Sequence, residues 1–258
     1  MVASGIRQGC CISTLLFKLI TFTIIEELNT RAPKYKIGAY EGNSLWLADD
    51  AVIIARSTED LLETLEILKT IAGENGLELT KKKTKILIVR GPQVEKKGDY
   101  EVTKEVKYLG INLRGRKMDI FATENESWLE KAEKKANELI GQIKSSCDIV
   151  LVGRAIWKAM AIPQALYGRA VIPTTEKDIK KLQRIENRVW KYLLGIGGYS
   201  TIEGLRGEIG ASSVRSRIME AILAYVISIY RGKFKEIKKM MDDAIKRKKG
   251  KWYKSVDK

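Results

Sequence analysis

Histidine is absent from all 258 residues, and cysteine is confined to Cys10, Cys11 and Cys147. Those shortages exclude a disulfide framework, His-containing zinc sites and every catalytic arrangement that needs an imidazole. Cys10 and Cys11 are chain neighbours, an unfavourable disulfide pair without metal-binding companions, so they read as spectators of their loop. No run of about twenty apolar residues is apparent, and the N-terminus lacks the apolar core and cleavage region of a signal peptide. The expectation is a soluble protein of a reducing intracellular compartment, nuclear or cytoplasmic, not secreted and with no membrane partner. Internal repeats and long low-complexity linkers are also missing.

What is present is a core and a large positive charge. Hydrophobic residues make up 45% of the chain, enough for one large domain or two ordinary ones. The formal charge is +15 and the pI near 9.6. That excess repels itself in a compact state unless anions share the surface, so a polyanion such as nucleic acid is the expected partner. From Arg231 to Lys258, twelve Lys or Arg stand against four acids, a net +8. The C-terminal end reads as a binding tail, or else as a solvated, frayed helix.

Periodicity divides the chain into a mixed part and a helical part. Residues 1–12 suit a loop, and Ser13 opens a helix running to about Asn29, with Leu16, Phe17, Ile20, Ile24 and Leu28 at helical spacing. The short apolar runs flanking Asp49 and Asp50 over 45–55 predict a hairpin with buried strands and an exposed turn. Ser57 with Asp60 caps a further helix whose face is Leu61, Leu62, Leu65, Leu68, Ile71 and Ala72, stopped near Gly73 and Gly76. Residues 77–89 read as extended, followed by strands near 101–106 and 108–113. From Phe121 the pattern is helical, with Trp128, Leu129, Ala132, Ala136, Leu139, Ile140 and Ile143 on one face and Ile179, Leu182, Ile185, Val189 and Leu193 on another. Pro163 ends or kinks the helix carrying Trp157 and Met160. Helices are also predicted over 212–231 and 233–249.

Adjacent acids at a turn are by themselves weak evidence of chemistry, because Asp is favoured in turns for local backbone reasons. Their flanks change that reading. Gly5-Ile-Arg-Gln-Gly-Cys10-Cys-Ile-Ser-Thr-Leu-Leu-Phe17, then Leu47-Ala-Asp-Asp50, then Gly76-Leu-Glu-Leu-Thr-Lys-Lys-Lys-Thr-Lys85, then Val106-Lys-Tyr-Leu-Gly110 resemble reverse transcriptase motifs B, C, D and E, in order. The style is similar to that of a non-LTR retrotransposon. The helical remainder, with Ala165-Leu-Tyr-Gly168 and Gly204–Arg217, is similar to the region after motif E in such elements, with weaker motifs. The resemblance implies an α+β fold: a partial polymerase palm of helix, catalytic hairpin, helix and short strands over 1–113. A helical, thumb-like region over 114–200 and basic C-terminal helices over 201–258 would come after it.

The implied chemistry is nucleotidyl transfer by two Mg²⁺ or Mn²⁺ ions about 4 Å apart, held by carboxylates. By resemblance Asp49 and Asp50 are the metal-binding acids of motif C. Arg7, Gln8 and Gly9 lie in the nucleotide- and template-binding loop of motif B. Lys83 stands where motif D has a lysine that meets departing pyrophosphate, with Lys85 the alternative and Lys81 and Lys82 solvated. Tyr108, Leu109 and Gly110 match the primer grip. Arg184, Arg188 and Lys191 can track phosphates whether or not the chain is catalytic. The implied partners are an RNA template, a DNA primer and deoxynucleoside triphosphates.

Four positions depart from the family pattern. Leu47 replaces an aromatic, Cys11 and Thr14 replace motif B prolines, and Thr80 replaces an asparagine. The motif A aspartate is expected upstream of motif B, yet no acid precedes Glu26. Two divalent ions bring +4 to a site, and Asp49 and Asp50 are too few to hold both; Glu41 and Asp60 are expected to be solvated. The expectation is a polymerase portion, inactive by itself, whose motif A and fingers come from another chain or segment. The alternative is a non-catalytic nucleic-acid-binding protein derived from a retroelement, and a purely helical interaction module is a third. No zinc knuckle or endonuclease is recognisable.

Overall fold

The computed structural model describes residues 12–37, 40–91, 96–115, 120–143, 148–197, 201–232 and 235–247. The fold is α+β and forms two compact units: residues 1–86 with 92–103, and residues 87–91 with 104–258.

In the first unit α1 (Ser13–Arg31) packs on α2 (Thr58–Glu74) through Ile24, Leu28, Ala32, Leu68 and Ile71. Between them run two hairpins, β1 (Tyr35–Ile37) with β2 (Tyr40–Gly42) and β3 (Ser44–Leu47) with β4 (Asp50–Ile53). The first was not foreseen, because its two strands have only three residues each. The Ser57 hydroxyl accepts the Asp60 amide at 3.0 Å, as the cap pattern predicts. At the other end the helix closes on Gly76 (φ +73), and the Leu77 amide reaches back to the Ala72 carbonyl at 2.8 Å. A left-handed residue there is tolerated because glycine has no Cβ. Beyond it β5 (Lys85–Leu87), β6 (Lys96–Lys97) and β7 (Tyr100–Thr103) form a sheet of order β5-β7-β6.

α1 corrects the sequence-based expectation in one respect. Leu16, expected on the packed face, is exposed together with Ile12, Leu15, Leu19 and Phe22, so this helix is apolar on both sides.

In the second unit the hairpin of β8 (Glu105–Tyr108) and β9 (Ile111–Arg114) precedes a helical body. The expected strand over 108–113 is mis-registered: Leu109 and Gly110 form the turn, at φ +48 and +80. Two long helices, α3 (Ala122–Gln142) and α6 (Glu176–Leu193), form the spine. α4 (Ile149–Ile156) leads through a π-helical stretch, Trp157–Ala161, into α5 (Ile162–Leu166). Pro163 lacks the amide that would continue the ladder, and the extra residue per turn just before it takes up that break. α7 (Ile202–Ile209), α8 (Val214–Arg231) and α9 (Lys235–Arg247) complete the unit. α7 was not anticipated.

The core is continuous along the spine. One cluster joins Ala136, Leu139 and Ile143 of α3 to Trp157, Trp190, Leu193, Leu205 and Ile209, with Trp157 and Trp190 edge to face at 5.9 Å. The other joins Trp128 and Ala132 to Ala165, Leu182, Val214, Ile218 and Ile222. The predicted faces of α3 and α6 are thereby confirmed, whereas the division expected at 200–201 is crossed by both cores. Mixed structure gives way to helix between Arg114 and Ala122, but the compact units divide earlier, between Thr103 and Lys104. The hairpin β8–β9 therefore belongs with the helices.

Polar groups also staple the helices. Glu186, 2% exposed, accepts from the Trp157 indole at 3.0 Å, from Gln183 at 3.2 Å and from Arg217. Burial of a carboxylate is tolerable here because each oxygen is hydrogen-bonded and a guanidinium offsets its charge. The 18-residue path Ile149–Leu166 has a mean hydropathy of 1.3 and is long and apolar enough to cross a membrane, a stretch that inspection of the sequence passed over. It carries Arg154 and Lys158, and Trp157 and Ala161 pack it into the helical core.

Candidate active site and nucleic-acid surface

The Asp49–Asp50 pair sits at the tip of the β3–β4 hairpin. Leu47 pairs with Asp50, so Ala48 and Asp49 are the whole loop. Ala48 has φ +52, a region that disfavours any residue with a Cβ, and glycine is the usual occupant of such a position. A non-glycine residue held left-handed beside a candidate metal ligand is the kind of local strain that functional turns retain, on the order of 1–3 kcal/mol.

The base of the hairpin is fixed by Asn43, which is fully buried. Its side chain donates to the Leu28 carbonyl at 3.2 Å, its own carbonyl accepts the Ile54 amide at 2.8 Å, and its Oδ1 accepts the Ser44 hydroxyl at 3.1 Å. This asparagine ties the hairpin to the end of α1, and sequence reasoning missed it. Trp46 and Ile53 lie against the α1–α2 core, while Leu45 and Leu47 are exposed. The strands are thus covered on one face only, a correction to the expected buried hairpin. Leu47, where the resembling family has an aromatic, points away from the core.

Asp49 and Asp50 are both exposed. Among the described residues no group of three acids, cysteines or histidines converges to hold a metal ion. Glu41 is exposed, as expected of a solvated acid, whereas Asp60 is half-buried in the first turn of α2, where its amide donates to the Ser57 hydroxyl. Two carboxylates suit part of one divalent ion's oxygen shell but leave a +4 pair of ions undersupplied. The donor set therefore does not fit a two-ion centre without further oxygen ligands.

The lysine-rich turn after α2 separates its members by their partners. Lys81 is bonded to Asp99, which raises the ammonium's pKa and lowers that of the carboxyl; the hydrogen bond is the larger cause and the charge attraction adds to it. Lys85 lies 3.9 Å from Glu101. Lys83 is exposed in the 81–83 turn and has no ion pair among the described residues. Lys82 is likewise exposed and without an ion pair among the described residues, so two ammonium groups of this turn, those of Lys82 and Lys83, are left to meet an incoming anion. Arg7, Gln8 and Gly9 lie outside the described residues.

In the second unit Tyr108 is half-buried on β8, and Leu109 and Gly110 form the hairpin tip. The Tyr167 hydroxyl donates to the Leu109 carbonyl at 2.8 Å. On α6, Lys177, Lys181, Arg184, Arg188 and Lys191 recur at three- and four-residue steps and form one basic stripe. Arg184 is exposed, but Arg188 already bonds Glu133 at 2.6 Å and Asn137 at 3.0 Å. A trough between α3 and α6, lined by Glu130, Glu133, Lys134, Asn137, Lys181 and Arg184, has acids on its α3 wall. The α6 side of the trough is basic, and the α3 side mixes Glu130 and Glu133 with Lys134. The Glu133 carboxylate already offsets the charge of Arg188.

Comparison with known proteins returns the family that the motifs resemble. A family model described as reverse transcriptase (RNA-dependent DNA polymerase) matches residues 1–113. A retrovirus-related Pol polyprotein from the type-1 retrotransposable element R2 of Nasonia vitripennis is 30% identical over 125 residues, covering 42% of this chain and 12% of that protein. The match thus spans about an eighth of the relative's length. No solved structure matches the chain.

Proposed function

Residues 1–113 are reverse transcriptase sequence of the non-LTR retrotransposon kind, and from that premise we propose that the chain is the palm-and-thumb portion of an RNA-directed DNA polymerase. Polymerases of this family use divalent metals, RNA templates and nucleotide substrates. In this reading Asp49 and Asp50 are the motif C ligands of Mg²⁺ or Mn²⁺, which when bound supplies charge neutralisation for phosphoryl transfer. Lys83 offers its unpaired ammonium to the pyrophosphate, Tyr108 to Gly110 hold the primer, and Arg184 and Lys191 take phosphates of the duplex.

The observation that carries the reading is the placement of Asp49 in the strained two-residue tip of an exposed hairpin and of Asp50 at the first paired position beside it, inside the matched segment. Two further observations support completion of the site by other sequence. No third acid converges on the pair among the described residues, and the apolar α1 face of Leu15, Leu16, Leu19 and Phe22 is uncovered. The chain by itself is accordingly a binder of primer–template and not a polymerase.

Binding to an RNA-template/DNA-primer duplex at several salt concentrations tests this. Log affinity should fall with log salt, and replacing Arg184, Arg188 and Lys191 with Ala should lower the slope by about 0.7–0.9 for each phosphate no longer neutralised. A slope near zero in the unaltered chain would exclude phosphate binding and with it the reading.

The basic stripe also fits a protein that binds nucleic acid without catalysis. That reading predicts the same slope but no effect of Asp49→Ala on metal-dependent binding of a nucleoside triphosphate, whereas the polymerase reading predicts its loss.

A further inference from the structure

The tip of the β8–β9 hairpin is a two-residue loop in which both residues are left-handed, Leu109 at φ +48 and Gly110 at φ +80. Such loops match the twist of the strands but ask for Asn, Asp or Gly at both positions. Leucine at the first has no side-chain hydrogen bond to hold the conformation, so the loop depends on support from outside.

That support comes from the Tyr167-Gly168 pair. The Tyr167 hydroxyl donates to the Leu109 carbonyl at 2.8 Å, and a Cβ on Gly110 would lie 3.4 Å from the Tyr167 ring. The phenol therefore touches both loop residues. Gly168, at φ +73, brings its bare α-carbon so close to Ile111 that a Cβ would stand 3.2 Å from that side chain.

The segment behind this pair is anchored on α3. The Trp128 indole donates to the Ala165 carbonyl, and the Arg169 guanidinium lies 4.1 Å above the Trp128 ring. Trp128 is 2% exposed in the helical core. A chain of contacts thus runs from the packed spine of the second unit through Tyr167 to the loop carbonyl.

We propose that Tyr167 is the positioning residue of the primer grip: its hydroxyl holds the Leu109–Gly110 loop in the left-handed conformation that presents the hairpin to the primer's 3′ end. The proposal rests on the polymerase reading above. It assigns a role to a residue that the motif comparison left as a weak similarity.

The test uses the full 258-residue chain and an RNA-template/DNA-primer duplex carrying 2-aminopurine either at the primer 3′ terminus or at an interior position. Binding of the unaltered chain should change the fluorescence of the terminal probe. Tyr167→Phe, which removes only the hydroxyl, should weaken the terminal response about two- to tenfold, the range of one hydrogen bond. The interior response, the salt slope and the thermal midpoint of the chain should stay unchanged. A merely structural residue would move the interior response and the midpoint as well, and that result overturns the proposal.

A terminal response equal to wild type in Tyr167→Phe but lost in Tyr167→Ala also overturns it, since the ring and not the hydroxyl would then be at work. If the unaltered chain binds duplex without any terminal response, the polymerase reading falls together with the proposal. A terminal response in the unaltered chain that Tyr167→Phe leaves intact sinks the proposal alone.

Discussion

The two units differ in the size of their cores and in what those cores enclose. In the helical unit, two apolar clusters run along α3 and α6, and even a carboxylate, Glu186, is enclosed with three donors. In the strand-bearing unit, a smaller cluster around Ile24, Leu28 and Ile71 forms the core between α1 and α2, while Ile12, Leu15, Leu16, Leu19 and Phe22 are exposed on the same α1. The candidate acids and Lys83 lie in the unit built on α1 and α2. The basic stripe of α6 and the β8–β9 hairpin lie in the helical one. Both units leave apolar side chains exposed, Leu15 and Phe22 in the first and Leu151 and Met160 in the second. The comparison therefore teaches that they differ in the core: the helical one encloses the Glu186–Arg217 ion pair, and the other rests on a smaller apolar cluster.

The sharpest way to break that contrast is to strike the closed core. Glu186→Ala leaves Arg217 and the Trp157 indole without their partner, and removing one side of a buried ion pair typically costs about 3–5 kcal/mol. Denaturant unfolding followed by fluorescence should show that loss in the transition reported by Trp128, Trp157 and Trp190. The Trp46 signal of the other unit should stay where it is. A simultaneous shift of both would mean that the units fold as one.

Within the first unit, the two sides of α1 should respond unequally. Leu28→Ala, at a fully buried position, should cost about 2–5 kcal/mol, whereas Leu19→Ser on the exposed face should stay within about 0.5 kcal/mol. Equal losses in thermal melts would show that the outer face is covered in solution.

Gly110→Ala adds a Cβ at φ +80 and should destabilise the hairpin by about 1–2 kcal/mol, a cost visible as faster amide exchange of Lys107 and Ile111. No such acceleration would mean that the loop relaxes to another turn.

The smallest effect concerns Lys81 and Asp99. The lysine hydrogen bond depresses the Asp99 pKa, so the pair contributes above the ordinary carboxyl value and is lost as pH falls through the depressed one. Lys81 is raised, so its share is lost only as pH climbs through that raised value. Both groups are exposed and screening makes the stability change slight. NMR titration of Asp99 should show the low value, and Lys81→Met should return it to the ordinary range.

Much of this was legible beforehand, and the reasons differ from place to place. The packed faces of α3 and α6 follow from long 3.6-residue periodicity, and the Ser57 cap follows from a local backbone rule. The Asp49–Asp50 tip was readable because its flanking motifs fall in order. What escaped was set by tertiary context. Leu16 looks like every core leucine until that side of α1 is found exposed, with no neighbour among the described residues. The β1–β2 hairpin and α7 are too short to show a period. The placement of Leu109 and Gly110 in a turn was hidden because leucine rarely adopts positive φ, and only the bond from Tyr167, 58 residues away, explains its presence there. Asn43 gave no signal, since a buried asparagine and a surface one read alike.

The central proposal is that the Asp49–Asp50 pair is the motif C part of a polymerase site that needs further oxygen ligands to hold two ions. Primer extension by the purified 258-residue chain with an RNA template, deoxynucleoside triphosphates and Mg²⁺ or Mn²⁺ tests it most directly. The account predicts no extension above background, with Asp49→Ala indistinguishable from the unaltered chain. Metal-dependent extension that Asp49→Ala abolishes would contradict it.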